Sequence, residues 1–331
     1  MHESEPFIQI DKITKWYPHK DDKLIHVGQE KKWIKAVDAV SLNIEKGEIW
    51  GIIGESGCGK STLGRLLTRL EEPTSGDVRI GGVSTKEMIR RDPKQFRRQV
   101  QIVFQNPFDT FTPRDTIEKI LMRPLRNHHI GANDAERRQI CLKGLESGGL
   151  RPAEDIMTRY PHELSGGQLQ RISIIRSMFL KPSFIIADEP VSMLDVSVRA
   201  EIIRMLQELS REQNAAVAFI SHDIALTRYI SDKIAVMYLG RIVECGDADD
   251  VISNPKHPYT RALISNCASI DPDEKTEPIE IQGEPPTPIN PGPGCYFAPR
   301  CYMACEDCFK AYPDIKYFPN GHFAACNRTA E

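Results

Sequence analysis

No stretch of this sequence approaches the roughly 18 consecutive apolar residues that a membrane-spanning helix needs. The opening segment, MHESEPFIQIDKITKWYPHK, has neither an apolar core nor a small-residue cleavage site, which excludes a secretory signal there. Surplus charge is missing too. A formal net charge of −3 exerts no global pull on nucleic acid or anionic lipid. Internal repeats are absent, as are a basic stripe and long coiled-coil heptads. Together these absences point to a cytosolic chain, where thiols stay reduced. Cysteine, by contrast, is plentiful at one place: CYFAPRCYMACEDC, residues 295–308, holds four of the nine, and Cys326 follows.

Up to about residue 255, short apolar runs alternate with amphipathic stretches, the pattern of an α/β domain. The strand-like runs are EIWGIIG (48–54), VQIVF (100–104), FIIAD (184–188), AVAFIS (216–221) and KIAVMY (233–238). Between 113 and 180 no such run occurs, and DTIEKILMRPL and GQLQRISIIRSMFL read as helices inserted into the α/β core. GEPPTPINPGPG (283–294) carries five prolines and three glycines, which predicts an irregular linker ahead of the cysteines.

Chemistry enters at GIIGESGCGKSTLGRLL. Gly54, Gly59, Lys60 and Ser61 form G-x-x-x-x-G-K-S between a buried-type strand and a helical pattern. Glycines let the backbone turn its N–H groups onto phosphate oxygens, and the helix beginning near Lys60 adds the positive end of its dipole. Ser56, Gly57, Cys58 and Thr62 complete the expected ATP cradle. Lys60 is expected at the β- and γ-phosphates and Ser61 on Mg²⁺. Asp188 ends the apolar run FIIAD, where a second Mg²⁺ contact belongs, and Glu189 follows as a candidate general base. A surface Asp-Glu pair at a strand end is the plainer reading of those two carboxylates taken alone.

LSGGQLQR (164–171) narrows the class. Ser165, Gly166, Gly167 and Gln168 open a helix, so their N–H groups make a second anion site. Serine is also simply a favoured N-cap. The stretch resembles the signature motif of ABC-type ATPases, and five further motifs follow that family's order over residues 7 to about 255. The resemblance implies an ABC-type P-loop ATPase: a RecA-like α/β core, an antiparallel β subdomain, and a helical subdomain at about 106–180. It also implies that the signature loop caps ATP bound to a second ATPase subunit. Gln105 in VFQNPF matches the glutamine loop, which touches Mg²⁺ and the attacking water. SMLD (192–195) matches the D-loop, with Met193 where alanine is usual and Asp195 crossing the dimer interface. His222 in FISHD matches the switch histidine. Tyr17 is the expected adenine-stacking ring, with Trp16 or plain core packing as alternatives.

Beyond 255, HPYT (257–260) after VISNPK resembles the C-terminal extension of peptide-type importer ATPases, and QNPFDTFTPR resembles the same branch despite Thr110, Phe111 and Thr112. The match is to the second ATPase subunit of dipeptide/oligopeptide importers, whose relatives also take up nickel, glutathione or metallophores. That implies two transmembrane permease subunits, an extracytoplasmic solute-binding protein and a seat on the cytoplasmic face of the membrane, with no nucleic-acid partner. Residues 256–331 are then a small cysteine-rich extension domain. By spacing alone, C-x₅-C-x₆-C-x₁₇-C fits neither zinc nor ferredoxin patterns, although Cys305-x₂-Cys308 leaves zinc open. The resemblance implies a [4Fe–4S] cluster on Cys295, Cys301, Cys308 and Cys326, with Cys305 unmatched.

Overall fold

The computed structural model describes residues 5–19, 31–267 and 277–329. The chain divides into two compact units. Unit 1 comprises Met1–Ile44, Glu48–Ser84 and Phe219–Glu331; unit 2 comprises Glu45–Gly47 and Thr85–Ala218. In chain order the strands are β1 (Ile8–Pro18), β2 (Trp33–Ile44), β3 (Ile49–Ile53), β4 (Ser75–Ile80) and β5 (Val83–Ser84), all in unit 1. Unit 2 follows with β6 (Val100–Val103) and β7 (Phe184–Asp188), and β8 (Ala216–Ile220) runs through the division. Unit 1 resumes with β9 (Lys233–Tyr238), β10 (Arg241–Asp247), β11 (Ile315–Tyr317) and β12 (Phe323–Ala325). All five strand-like runs of the sequence are strands.

Unit 1 holds an antiparallel sheet in the order β2-β1-β4-β5. Register shifts in β1 between Ile10 and Trp16 blur its alternation, which is why the pattern did not announce it. A second set of strands runs β3 parallel to β9, then antiparallel through β10 and β12 to β11. β3 is buried at every position, as a strand covered on both faces should be. In unit 2, β6 and β7 pair in parallel.

Between β6 and β7 unit 2 is helical. Helices Ile117–Asn127, Asp134–Ser147, Ala153–Thr158 and Gly166–Met178 bury one apolar cluster, with Leu121, Leu125, Leu145, Leu169 and Ile172 fully enclosed. Thr116 and Asn133 cap the first two by accepting backbone N–H groups, which sets where they start.

The cysteine-rich segment, expected as a small domain of its own, lies within unit 1. It has too few large aliphatics for a separate core and docks on the sheet instead. β12 pairs with β10. The proline-rich stretch is irregular, as expected, and its backbone straps onto β2. Lys35 N–H donates to Pro288 O and Asn290 N–H to Trp33 O, each at 2.9 Å.

Candidate functional site

In unit 1 the phosphate loop leaves β3 and enters the helix Lys60–Leu67 through Gly59, whose φ is +106°. A Cβ on Gly59 would lie 2.1 Å from Ala36 O, so only glycine fits this approach. Lys60 is buried, and its ammonium donates to Gly54 O at 2.7 Å and Glu55 O at 3.0 Å. Ser56, Gly57 and Ser61 are exposed, Thr62 is half-buried, and Cys58 points inward with its thiol pushed up by burial. Tyr17, on β1, is half-buried; its hydroxyl bonds to the Glu71 carboxylate and meets Thr62 on the loop's helix. Burial and then the Glu71 bond push that phenol up to about 12. Lys15 Nζ lies 5.1 Å from the centroid of the Tyr17 ring, whereas Trp16 carries Lys35 at 4.7 Å. His222 is exposed at the turn after β8, just before Asp223 caps the helix Ile224–Ile230.

Unit 2 gathers the carboxylates. Asp188 is buried at the end of β7, and Glu189 follows with φ +47°, a left-handed conformation that costs a non-glycine residue energy and clusters at functional sites. Gln105 Nε2 donates to Glu189 Oε2 at 3.0 Å and lies 3.2 Å from Ser192 Oγ. The side chains of the glutamine loop, the strand-end glutamate and the start of SMLD are therefore one hydrogen-bonded group. Asp195 is exposed at the N-cap of Val196–Gln213, and Met193 is 66% exposed, so it packs little within the chain.

Ser165 caps the helix Gly166–Met178 in a reciprocal box. Its Oγ accepts from Gln168 N–H at 3.3 Å, and Gln168 Oε1 accepts from Ser165 N–H at 3.0 Å. The cap reading and the anion-site reading coexist, because the first-turn N–H groups of Gly166 and Gly167 have no intrahelical acceptors. A Cβ on Gly167 would stand 2.8 Å from Val198 Cγ1, so that glycine also serves close packing. Buried Gln170 donates to Phe104 O at 3.1 Å and ties this helix to the backbone just before Gln105.

Far along the chain, Cys295, Cys301, Cys308 and Cys326 line one small cavity together with His257. Cys305 is not on its wall; its Sγ lies 3.5 Å from Cys308 Sγ. Burial raises all four lining thiols, Cys326 to about 11, whereas the hydrogen bond with Cys308 lowers Cys305.

Residues 37–192 match the family described as ABC transporter, and residues 243–308 match the oligopeptide/dipeptide transporter C-terminal region. The dipeptide transport ATP-binding protein DppF of Haemophilus influenzae is 43% identical over 325 residues, covering 98% of this chain and 97% of that protein. DppF of Escherichia coli is 42% identical over 325 residues, 97% of this chain and 94% of that one. Among solved structures, a dimeric ATP-binding cassette in a post-hydrolysis state with ADP and Pi superposes with a TM-score of 0.63 at 30% identity. It covers 73% of this chain and 98% of its own.

This chain belongs to the ATP-binding subunits of peptide ABC importers.

As a member of that family it binds ATP and hydrolyses it for peptide transport, working with another ATPase and permease subunits. It has the α/β ABC ATPase fold with a RecA-like core and an antiparallel β subdomain. Among the described residues no helix is long and apolar enough to cross a membrane.

The thiol cavity can be tested against the groups a peptide-importer ATPase of this branch is expected to carry. Among the described residues no three His, Cys, Asp or Glu side chains are arranged to hold a single metal ion. A tetrahedral zinc with arms of about 2.3 Å would draw its sulfurs to within about 4 Å of one another. What the four thiols share is the wall of one small cavity.

Three contributors escaped the sequence reading. Ser192 and Gln170 lie inside quoted motifs without any spacing rule to mark them. Arg300, whose guanidinium reaches the phosphate-loop residue Glu55, carries no local signal at all.

Proposed function

We propose that each ATP is held by the phosphate loop of one chain and the signature loop of a second, non-identical ATPase subunit. On this reading Tyr17 stacks on the adenine, and the N–H groups of residues 56–62 and the Lys60 ammonium take the phosphates. Ser61, Asp188 and Gln105 would hold Mg²⁺, which supplies charge neutralisation at the β,γ-oxygens when bound. Glu189 takes the proton from the attacking water, and His222 contacts the γ-phosphate. Ser165, Gly166, Gly167 and Gln168 reach the partner's nucleotide, and Asp195 crosses the interface.

The bond from Gln105 to Glu189 at 3.0 Å carries this reading. It holds a strained strand-end carboxylate through the one loop that the family uses to sense nucleotide. Closure of the paired ATPases then moves two transmembrane permease subunits, and hydrolysis reopens them. The chain sits peripherally on the cytoplasmic face, and an extracytoplasmic binding protein delivers di- or oligopeptides or related small solutes. Residues 1–255 are the motor and 256–331 the extension of that branch. Within the extension, Cys295, Cys301, Cys308 and Cys326 ligate a structural [4Fe–4S] cluster; their shared cavity and the sparse core around them support this.

The test is uptake of labelled dipeptide by vesicles containing the assembled importer. ATP-dependent uptake that vanishes with Lys60→Ala is expected. Crosslinks in an ATP-trapped complex that leave Ser165 distant from every nucleotide would sink the shared-site reading.

A further inference from the structure

The phosphate loop carries a negative side chain, Glu55, directly after its first glycine. ATP bears about four negative charges, and a bare carboxylate beside it would oppose binding. Arg300 answers that charge. Its Nη1 lies 2.7 Å from Glu55 Oε2 and its Nη2 3.0 Å from Glu55 Oε1, a two-pronged pair. Its remaining hydrogens reach Tyr238 Oη, Gln282 O and Gly283 O, so all five N–H groups of the guanidinium are used. Only 7% of the Arg300 side chain is exposed. A fork held on every prong within protein is a fixed charge, not a mobile surface arginine.

The backbone is held at the same point. The peptide joining Gly54 to Glu55 is gripped on both edges: its C=O accepts from Lys60 at 2.7 Å, and its N–H donates to Tyr259 Oη at 2.9 Å. That N–H is thereby committed to the protein, which leaves the donors from residue 56 onward for phosphate. Tyr259 is fully buried, and its ring packs on Tyr238 and Phe297 with centroids 4.7 and 5.2 Å apart. Phe297 caps, and Arg300 ends, the short turn Ala298–Arg300 between Cys295 and Cys301.

We propose that Arg300 and Tyr259 are positioning residues of the phosphate loop, Arg300 by neutralising and aiming the Glu55 carboxylate and Tyr259 by fixing the Glu55 amide. The nucleotide site is then completed by the extension beyond the cassette, and the cysteine-bearing turn sets the affinity for ATP. This rests on the reading that residues 54–62 bind ATP.

The experiment measures KM for ATP and kcat of the assembled importer, with binding of a fluorescent ATP analogue to the full chain alongside. Arg300→Gln should raise KM roughly ten-fold with kcat at saturating ATP within about two-fold, the signature of lost ground-state binding. Glu55→Gln should lower KM, and in the Arg300→Gln background it should bring KM back toward the wild-type value, because the repulsion is gone. A merely structural clamp predicts the opposite, with either single change harmful and no rescue. Tyr259→Phe should raise KM a few-fold. Arg300→Lys, which keeps the charge, serves if Arg300→Gln fails to fold; its KM should fall between the two. An unchanged KM in Arg300→Gln, or failure of Glu55→Gln to rescue it, overturns the proposal. Wild-type ATP binding in Lys60→Ala would instead overturn the assignment of the loop itself.

Discussion

Glu244 and His322 meet inside unit 1 with Oε1 and Nε2 2.8 Å apart, and both side chains are buried. The same carboxylate accepts from the backbone N–H groups of Lys256 and His257, at 2.6 and 2.9 Å. One acidic group on β10 thus fastens the start of the HPYT helix and the approach to β12. Replacing Glu244 with Leu takes the partner from two backbone N–H donors and from the His322 ring at once. The expected loss is about 2–5 kcal/mol of unfolding free energy, measured by denaturant titration, with Glu244→Gln losing less. A change below about 0.5 kcal/mol would mean the group is not the fastening.

Glu189→Gln keeps the shape of the side chain and removes its basicity. ATP binding should persist while turnover by the assembled importer falls by about 10²- to 10⁴-fold. Unaltered hydrolysis in single-turnover assays would move the base to another residue.

Tyr17 separates stacking from hydrogen bonding. Tyr17→Phe loses the bond to Glu71 but keeps the ring, so ATP affinity should hold. Tyr17→Ala should cost about 1–3 kcal/mol of binding, the range for a base on an aromatic face. Equal loss in both variants would show that the phenol oxygen matters instead, and no loss in either would return the role to Trp16.

The cysteines divide by their place on the cavity wall. Serine at Cys295, Cys301, Cys308 or Cys326 should abolish bound iron and sulfide in protein purified anaerobically, and should lower the melting temperature. Cys305→Ser should leave both intact, since Cys305 is off the wall. A wild-type chain that is colourless and free of iron under those conditions removes the cluster altogether.

Acid sensitivity should report on Asp38. Burial alone would raise its carboxyl, but hydrogen bonds from Tyr296 and Arg241, with the charges of Arg241 and Lys35, hold it below its ordinary range. The folded state therefore binds fewer protons there than the unfolded chain. Its contribution is fully present above the unfolded value of about 4 and disappears as the pH falls through the lower folded value. Asp38→Asn should be less stable at neutral pH and lose less on acidification below pH 4, in melts run at stepped pH. Parallel pH curves for the two proteins would exclude Asp38 as a contributor.

What the sequence made legible is what short spacing encodes. The phosphate loop, LSGGQ and the strand-end Asp188-Glu189 are local patterns whose chemistry follows from a strand, a turn and a helix start. Proline told only part of the story at 283–294, which is irregular as expected. It removes a donor and predicts an irregular segment, but Pro288 keeps its carbonyl, and that carbonyl is what β2 uses. β1 went unannounced because its bulges break the period of two. Arg300 and Glu55 are 245 positions apart, and no periodicity connects an arginine in a turn to a carboxylate in a loop.

The pairing of β12 on β10 has a consequence for biosynthesis. β3, which launches the phosphate loop, is made early, but the strands that close its side of the molecule emerge from the ribosome long afterwards. Until then the nascent polypeptide carries β10 with an open hydrogen-bonding edge, a template for mispairing between neighbouring chains on a polysome. Versions shortened before residue 315 should therefore be less soluble than the full chain, the cellular cost of building a motor whose lock is synthesised so late.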